Sequence, residues 1–224
     1  MTASSPFEHE VIPRLTEFRS PPEQADTTIQ ELYAALVNDN IRNELIVGDL
    51  LRVVQDGCSP LLLTARTEHL TYFATALAGI VENVFVLKGG MGKKQRRLIA
   101  EAIAAVPESA PRVILATGSY IGEGFDDARL DTLFLAMPIS WKGTLQQYVG
   151  RLHRLYDAKR VVRVYDYVDS DVQMLARMYA RRLKGYSAIG YRICNTLYDV
   201  FGRERQATGL ERPDAQSLGG HGNL

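Results

Sequence analysis

From residue 60 onward, short apolar runs alternate with longer segments whose apolar residues recur every three or four positions. The runs are Leu61 to Leu63, Val84 to Leu87, Val113 to Ala116, Thr132 to Leu135 and Val161 to Val168, each of strand length. Helical periodicity predicts helices over 68–79, 92–105, 143–154 and 170–184. The helix at 92–105 carries a basic face, and Pro107 stops it. Strands apolar on both faces, alternating with helices, predict an α/β fold: a parallel sheet flanked by helices on both faces. Ligands of such sheets bind at the carboxyl ends of the strands. Thr64 and Arg66, Gly89 and Gly90, and Thr117 and Gly118 all stand there.

Upstream the pattern is different. Residues 1–25 hold Pro6, Pro13, Pro21 and Pro22 with little periodicity, and read as a linker or loosely ordered arm. Ile29, Leu32, Tyr33, Leu36 and Val37 predict a helix near 26–38. Leu45, Ile46, Leu50 and Val53 predict a second over 41–55, ending at Gly57. Residues 26–57 thus form a helical extension, 58–192 the α/β domain, and 193–224 a polar, largely disordered tail.

With 224 residues the chain suffices for one well-buried domain and additions. Its net charge of zero excludes nothing, but the distribution is uneven. Residues 1–50 hold nine acidic and three basic side chains, whereas 150–192 hold ten basic and four acidic ones. A basic C-terminal region fits phosphate, with a solvated helix face as the plainer alternative. Cys58 and Cys194 lie far apart and near no ligand-like His, so no disulfide framework or zinc site is implied. A reducing cytoplasm is the expected compartment. No apolar run approaches the roughly 18 residues of a membrane span.

Two segments carry candidate chemistry. On a helix, positions 147, 150, 151 and 154 share one face, because steps of three and four return to the same side. Gln147, Arg151 and Arg154 can then converge on one phosphate, and Gly150 lets the backbone come close. An isolated pair of arginines three apart usually makes surface ion pairs instead. Upstream, Ala116-Thr117-Gly118 closes a strand and Gly122-Glu123-Gly124-Phe125-Asp126 follows. Gly124 permits close approach, and Asp126 can accept a ribose hydroxyl; a flexible loop is the bland reading. The turn Lys88-Gly89-Gly90-Met91-Gly92 before a basic helix suits backbone phosphate, with Lys93, Lys94, Arg96 and Arg97 adding charge. It is not a P-loop, because Lys94 stands where Ser or Thr is required.

In this order and spacing, Gln147-Tyr-Val-Gly-Arg-Leu-His-Arg154 and Ala116-Thr117 to Asp126 resemble motifs VI and V of superfamily 2 helicases. Leu63 to Arg66 resembles motif IV, and the resemblance spans roughly 45–190. In spelling it is nearest to restriction-type and conflict-system bacterial helicases, through Leu145 to Arg154 and Tyr165-Asp-Tyr-Val-Asp169. The resemblance implies a C-terminal RecA-like lobe of an ATP-dependent DNA helicase or translocase. It implies catalytic roles for Gln147, Arg151 and Arg154, and nucleotide contacts for Glu123, Gly124, Asp126 and Gly150. It assigns nucleic-acid contacts to Thr64, Arg66, Gly89, Gly90, Lys93, Thr117 and Gly118. Neither G-x-x-x-x-G-K-[ST] nor D-E-x-[DH] occurs in the sequence. ATP with Mg²⁺ is therefore expected only with an N-terminal lobe supplied in cis or in trans, and no ATPase activity is expected alone.

His153 is not expected to be a general base, and Tyr148 and Tyr156 are expected to pack rather than stack on bases. Two other readings stay open: a binding module that docks on a separate ATPase lobe or on DNA, and a doubly wound enzyme with a small-molecule pocket. No nucleophile–base pair supports the latter.

Overall fold

The central strands form because both of their faces are covered. Every residue of β2 (Pro60–Thr64), β4 (Arg112–Thr117) and β5 (Thr132–Leu135) is buried, and only the first residue of β6 (Val161–Val168) is not. The computed structural model describes residues 7–20, 28–122, 125, 127–139, 146–152, 156 and 159–194. With β1 (Glu8–Leu15), β3 (Asn83–Leu87) and β7 (Arg192–Ile193) they make one seven-stranded sheet, ordered β3-β4-β2-β5-β6-β1-β7. All its pairings are parallel.

The helices are α1 (Ile29–Asn38), α2 (Asn40–Gln55), α3 (Thr67–Leu77), α4 (Lys93–Ala105), α5 (Gly118–Gly122), α6 (Gln146–Leu152) and α7 (Gln173–Ala188). Alternate residues of each strand feed two separate cores. Leu62, Val113, Leu115, Phe134 and Tyr165 pack with Ile46 and Leu50 of α2 and with Leu70 and Phe73 of α3. Leu61, Leu63, Ile114, Ala116 and Val164 pack on the other side with Ile103 of α4, Tyr120 of α5, Tyr148 of α6 and Tyr186 of α7. This is the two-sided α/β fold that the strand pattern predicts.

Residues 8–15, expected in the arm, are instead a strand lying along the full length of β6. Pro13 is tolerated for a local reason. Val11 O accepts from Cys194 N at 2.8 Å, so odd-numbered positions of β1 point toward β7. Pro13 points the same way, two residues farther on, where β7 has no residue in register with it. Its missing N–H therefore removes no bond to β6.

The expected helical extension is present. Thr28 and Glu31 form a capping box that starts α1. Asp39 ends α1 and starts α2, accepting from Arg42 N at 2.8 Å. Of the expected tail, Ile193 belongs to β7 and Cys194 follows it; residues 195–224 lie outside the described residues. Among the described residues, no helix is long and apolar enough to cross a membrane.

Candidate nucleic-acid and nucleotide interface

The sheet register brings three of the sequence-predicted segments side by side at the carboxyl edge. Thr64 of β2 lies opposite Thr117 of β4, and Leu87 of β3 lies opposite Ala116. The turn after β3 is tied to the end of β4, because Gly89 N donates to Thr117 Oγ1 at 3.1 Å. Gly90 has φ +82°, a conformation that favours glycine. Met91 tucks beneath the turn, with Lys88 N to Met91 Sδ at 3.4 Å. Gly92 then caps α4 without a side-chain hydrogen bond, and Lys93 and Lys94 follow, exposed. Arg96 ties the helix back, donating from Nε to Met91 O at 2.8 Å and lying 5.5 Å from the centre of the Tyr120 ring.

Thr64 does not present its hydroxyl to a ligand. It is buried, and its Oγ1 lies 3.0 Å from His69 Nδ1. Asn43 Nδ2 donates to Val37 O at 2.8 Å, which turns Asn43 Oδ1 toward His69 Nε2, also at 2.8 Å. His69 therefore donates from Nε2 and accepts the Thr64 proton at Nδ1. Burial, with Arg42 as a second cause, lowers the His69 pKa to about 3, so the ring is neutral. Thr64 Oγ1 also accepts from Arg66 N at 3.3 Å. Its expected contact with nucleic acid is thus replaced by support of the turn that carries Arg66. Arg66 is half-buried, and its Nη2 donates to Gln30 Oε1 at 2.6 Å on α1.

At Gly118 the two motif segments meet. A Cβ there would stand 2.3 Å from Tyr148 Oη. Only glycine lets α6 approach the start of α5 so closely. Tyr148 is buried, as expected of a packing residue, and burial raises its pKa. Tyr148, Val149 and Leu152 form the buried stripe of α6, while Gly150 is exposed. At 100° per residue, positions 147, 150 and 151 lie on the face opposite that stripe. A Cβ at Gly150 would meet nothing within 4 Å, so the packing around α6 does not itself demand glycine there. Glu123, Gly124, Asp126, His153 and Arg154 lie outside the described residues. Tyr156 is half-buried, and its hydroxyl donates to Glu108 Oε1 at 2.6 Å.

The basic C-terminal region divides in two. Arg182 pairs with Asp166 at 2.8 Å, and Arg163 and Arg192 both pair with Glu10 of β1. Lys159 Nζ donates to Leu152 O at 2.8 Å. These four hold the fold together. Arg177, Arg181 and Lys184 remain exposed along α7. The Asn43–His69–Thr64 chain was not anticipated from sequence. The available signal was that His69 shares the buried stripe of α3 with Leu70, Phe73 and Leu77.

Donor chemistry at this edge suits a polyphosphate: Gly150, with positions 147 and 151, lies on an unburied helix face beside the Gly118 contact. Among the described residues, no group of three His, Cys, Asp or Glu side chains is arranged to hold a metal ion.

The fold is RecA-like, of the kind found in helicase C-terminal domains. T4 UvsW matches with a TM-score of 0.63 at 15% identity, over 86% of this chain and 42% of that one. The C-terminal domain of the DEAD-box protein Dbp5 matches with a TM-score of 0.54 at 12% identity, over 84% of this chain and 90% of that one. No family model matches the sequence. Transcript termination protein OPG145 of Monkeypox virus is 28% identical over 120 residues, 52% of this chain and 23% of its own length. The chain therefore spans about a quarter of that protein. Uncharacterized protein 108L of Invertebrate iridescent virus 3 is 32% identical over 100 residues, 45% of this chain and 89% of its own length. The chain belongs to the same family as protein 108L.

Proposed function

We propose that this chain is the C-terminal lobe of a superfamily 2 nucleic-acid motor, a helicase or translocase driven by ATP. The observation that carries the reading is the Gly118–Tyr148 contact. It docks the helix bearing Gln147, Gly150 and Arg151 against the strand end bearing Thr117 and Gly118. A nucleotide-facing segment and a strand-facing segment then share one rigid edge.

In this reading Arg66, Lys93 and the backbone at Gly89, Gly90 and Gly118 hold phosphates of the strand, with Thr117 fixing the Gly89 turn. Gly150 and Gln147 position the nucleotide, with Glu123, Gly124 and Asp126 beside it. Arg151 and Arg154 stabilise charge that develops on the transferring phosphoryl group, an effect worth about 10³–10⁵ in rate in arginine-finger enzymes. ATP with Mg²⁺ supplies the driving hydrolysis, and a first lobe, in cis or in trans, supplies the Walker lysine and the metal ligands. Closing and reopening the cleft between lobes moves the strand. The poxvirus relatives are transcript termination proteins, which supports a role on nucleic acid. DNA is the proposed strand, and the spelling of 145–154 and 165–169 supports a restriction-type or conflict-system subgroup.

The test is steady-state ATPase of the chain joined to a first lobe, with single-stranded DNA or RNA present. Arg151→Ala and Arg154→Ala should each abolish most turnover while leaving the melting temperature unchanged. Near-normal turnover in both variants overturns the arginine-finger assignment.

A second reading has its own support. Protein 108L is covered over 89% of its length, so a relative that is little more than this region exists. The lobe would then act as a module that binds nucleic acid or docks on a separate ATPase. Strand binding without any stimulation of an added first lobe would favour it.

A further inference from the structure

Between α4 and the segment from Tyr120 to Arg129 lies a cavity of about 480 Å³. We infer that it is a binding site for a mononucleotide, either free or as the 5′-terminal unit of a strand. The site is separate from the α6 face described above and does not depend on that reading.

Two arginines make the anion-binding wall. Arg112 is only 2% exposed. Its Nη1 and Nη2 pair with Asp127 at 2.8 and 2.9 Å, but its buried Nε has no hydrogen-bond partner. An orphaned buried donor is costly, and an oxygen of a ligand would satisfy it. Arg129 is held by carbonyl oxygens alone, donating to Val106 O at 2.9 Å and to Pro107 O and Glu108 O at 3.2 Å. Its charge is oriented without being neutralised. Asp127 Oδ1 accepts both from Arg112 Nη2 and from Arg129 N at 3.0 Å, which keeps the two residues together. One carboxylate thus serves two guanidiniums, and Arg97 adds a third at the rim. Guanidinium forks match phosphate oxygens, and a phosphate offers more acceptors than a carboxylate.

The opposite wall is apolar. Ala100, Ile103 and Ala104 of α4 and Phe125 line it. The volume falls within the range of small-molecule pockets, about 300–1,000 Å³, far more than a lone anion needs. A cationic wall facing a smooth apolar one fits a phosphate joined to a flat ring.

The isolated chain is titrated by calorimetry with 5′-AMP, adenosine and inorganic phosphate, and with one oligonucleotide bearing either a 5′-phosphate or a 5′-hydroxyl. AMP or the 5′-phosphorylated strand should bind more tightly than adenosine, phosphate or the 5′-hydroxyl strand. Binding of AMP identifies a free nucleotide as the source. Binding of the phosphorylated strand alone identifies a strand end. Ala104 is exposed, so Ala104→Trp blocks the mouth without repacking the core. It should weaken binding roughly tenfold or more at an unchanged melting temperature. Arg129→Gln should do the same, and if it unfolds the chain the Trp variant carries the test. Phosphate binding as tightly as AMP, no saturable binding by any phosphorylated probe, or binding that survives Ala104→Trp but is lost in Arg151→Ala, each overturns the proposal.

Discussion

Arg42 and Asp169 form a two-bond ion pair, Nε to Oδ1 at 2.8 Å and Nη2 to Oδ2 at 3.3 Å, with both side chains out of solvent. Arg42 also donates to Ala136 O at 2.7 Å, and Thr16 donates to Asp169 Oδ1 at 2.6 Å. One carboxylate thereby joins α2, the segment after β1 and the end of β6. Asp169→Ala leaves a buried guanidinium without its counter-charge and should cost about 3–5 kcal/mol. The double variant Arg42→Met with Asp169→Leu should recover much of that loss. Urea unfolding of the three proteins checks both statements.

His69 predicts an acid sensitivity. Its folded pKa of about 3 lies below the ordinary 6.5, so the unfolded chain binds the extra proton. The stabilisation from keeping this ring neutral is complete above pH 6.5 and is lost as pH falls toward 3. The slope from this residue approaches about 1.4 kcal/mol per pH unit between those limits. His69→Gln keeps a hydrogen-bonding side chain but cannot take up the proton. It should flatten stability against pH over this window, as measured by urea midpoints at pH 4, 5, 6 and 7.

The Gly118–Tyr148 contact predicts a rescue. Gly118→Ala drives a methyl to 2.3 Å from Tyr148 Oη and should destabilise the lobe by about 1–3 kcal/mol. Tyr148→Phe removes that oxygen and leaves the nearest ring atom at 3.2 Å. A double-mutant cycle on thermal unfolding should give a favourable coupling between the two changes. Additive losses would mean that the α5–α6 contact is looser than described.

Nucleic-acid binding should separate contact from support. Arg66→Ala and Lys93→Ala should each lower the slope of log affinity against log salt by about 1, as for the loss of one phosphate contact. Thr64→Val should leave the slope unchanged and instead cost about 1 kcal/mol of stability through the broken bond to His69. Fluorescence anisotropy at several salt concentrations, alongside melting curves, distinguishes the two classes.

The alternation of apolar runs and helices was enough to read the five central strands, because burial on both faces leaves near-continuous apolar spelling. β1 was hidden. Its outward-pointing Pro13 reads as a breaker, and its ion-paired Glu10 reads as surface. Both make sense only once β6, β7 and Arg163 are beside them. The same blindness affected the charge reading, since Arg163 and Arg192 find Glu10 more than 150 positions away in sequence. At the candidate site, spacing predicted that Gly89, Thr117 and Gly118 would gather at one edge. It could not tell that Thr64 points inward, because a threonine at a strand end is spelled alike whether it meets solvent or a buried imidazole.

The pairing of Glu8 with Val161 also has a consequence for how the chain is made. β1 is synthesised before the partner that gives it a place in the sheet. At ribosomal speeds of about 5–20 residues per second, it waits roughly 10–30 s for β6 to be completed. During that interval β2 to β5 can assemble around their own cores, while β1 stays unpaired and open to chaperones or proteases. The N-terminal strand is thus the last piece of the sheet to find its partner, although it is the first to leave the ribosome.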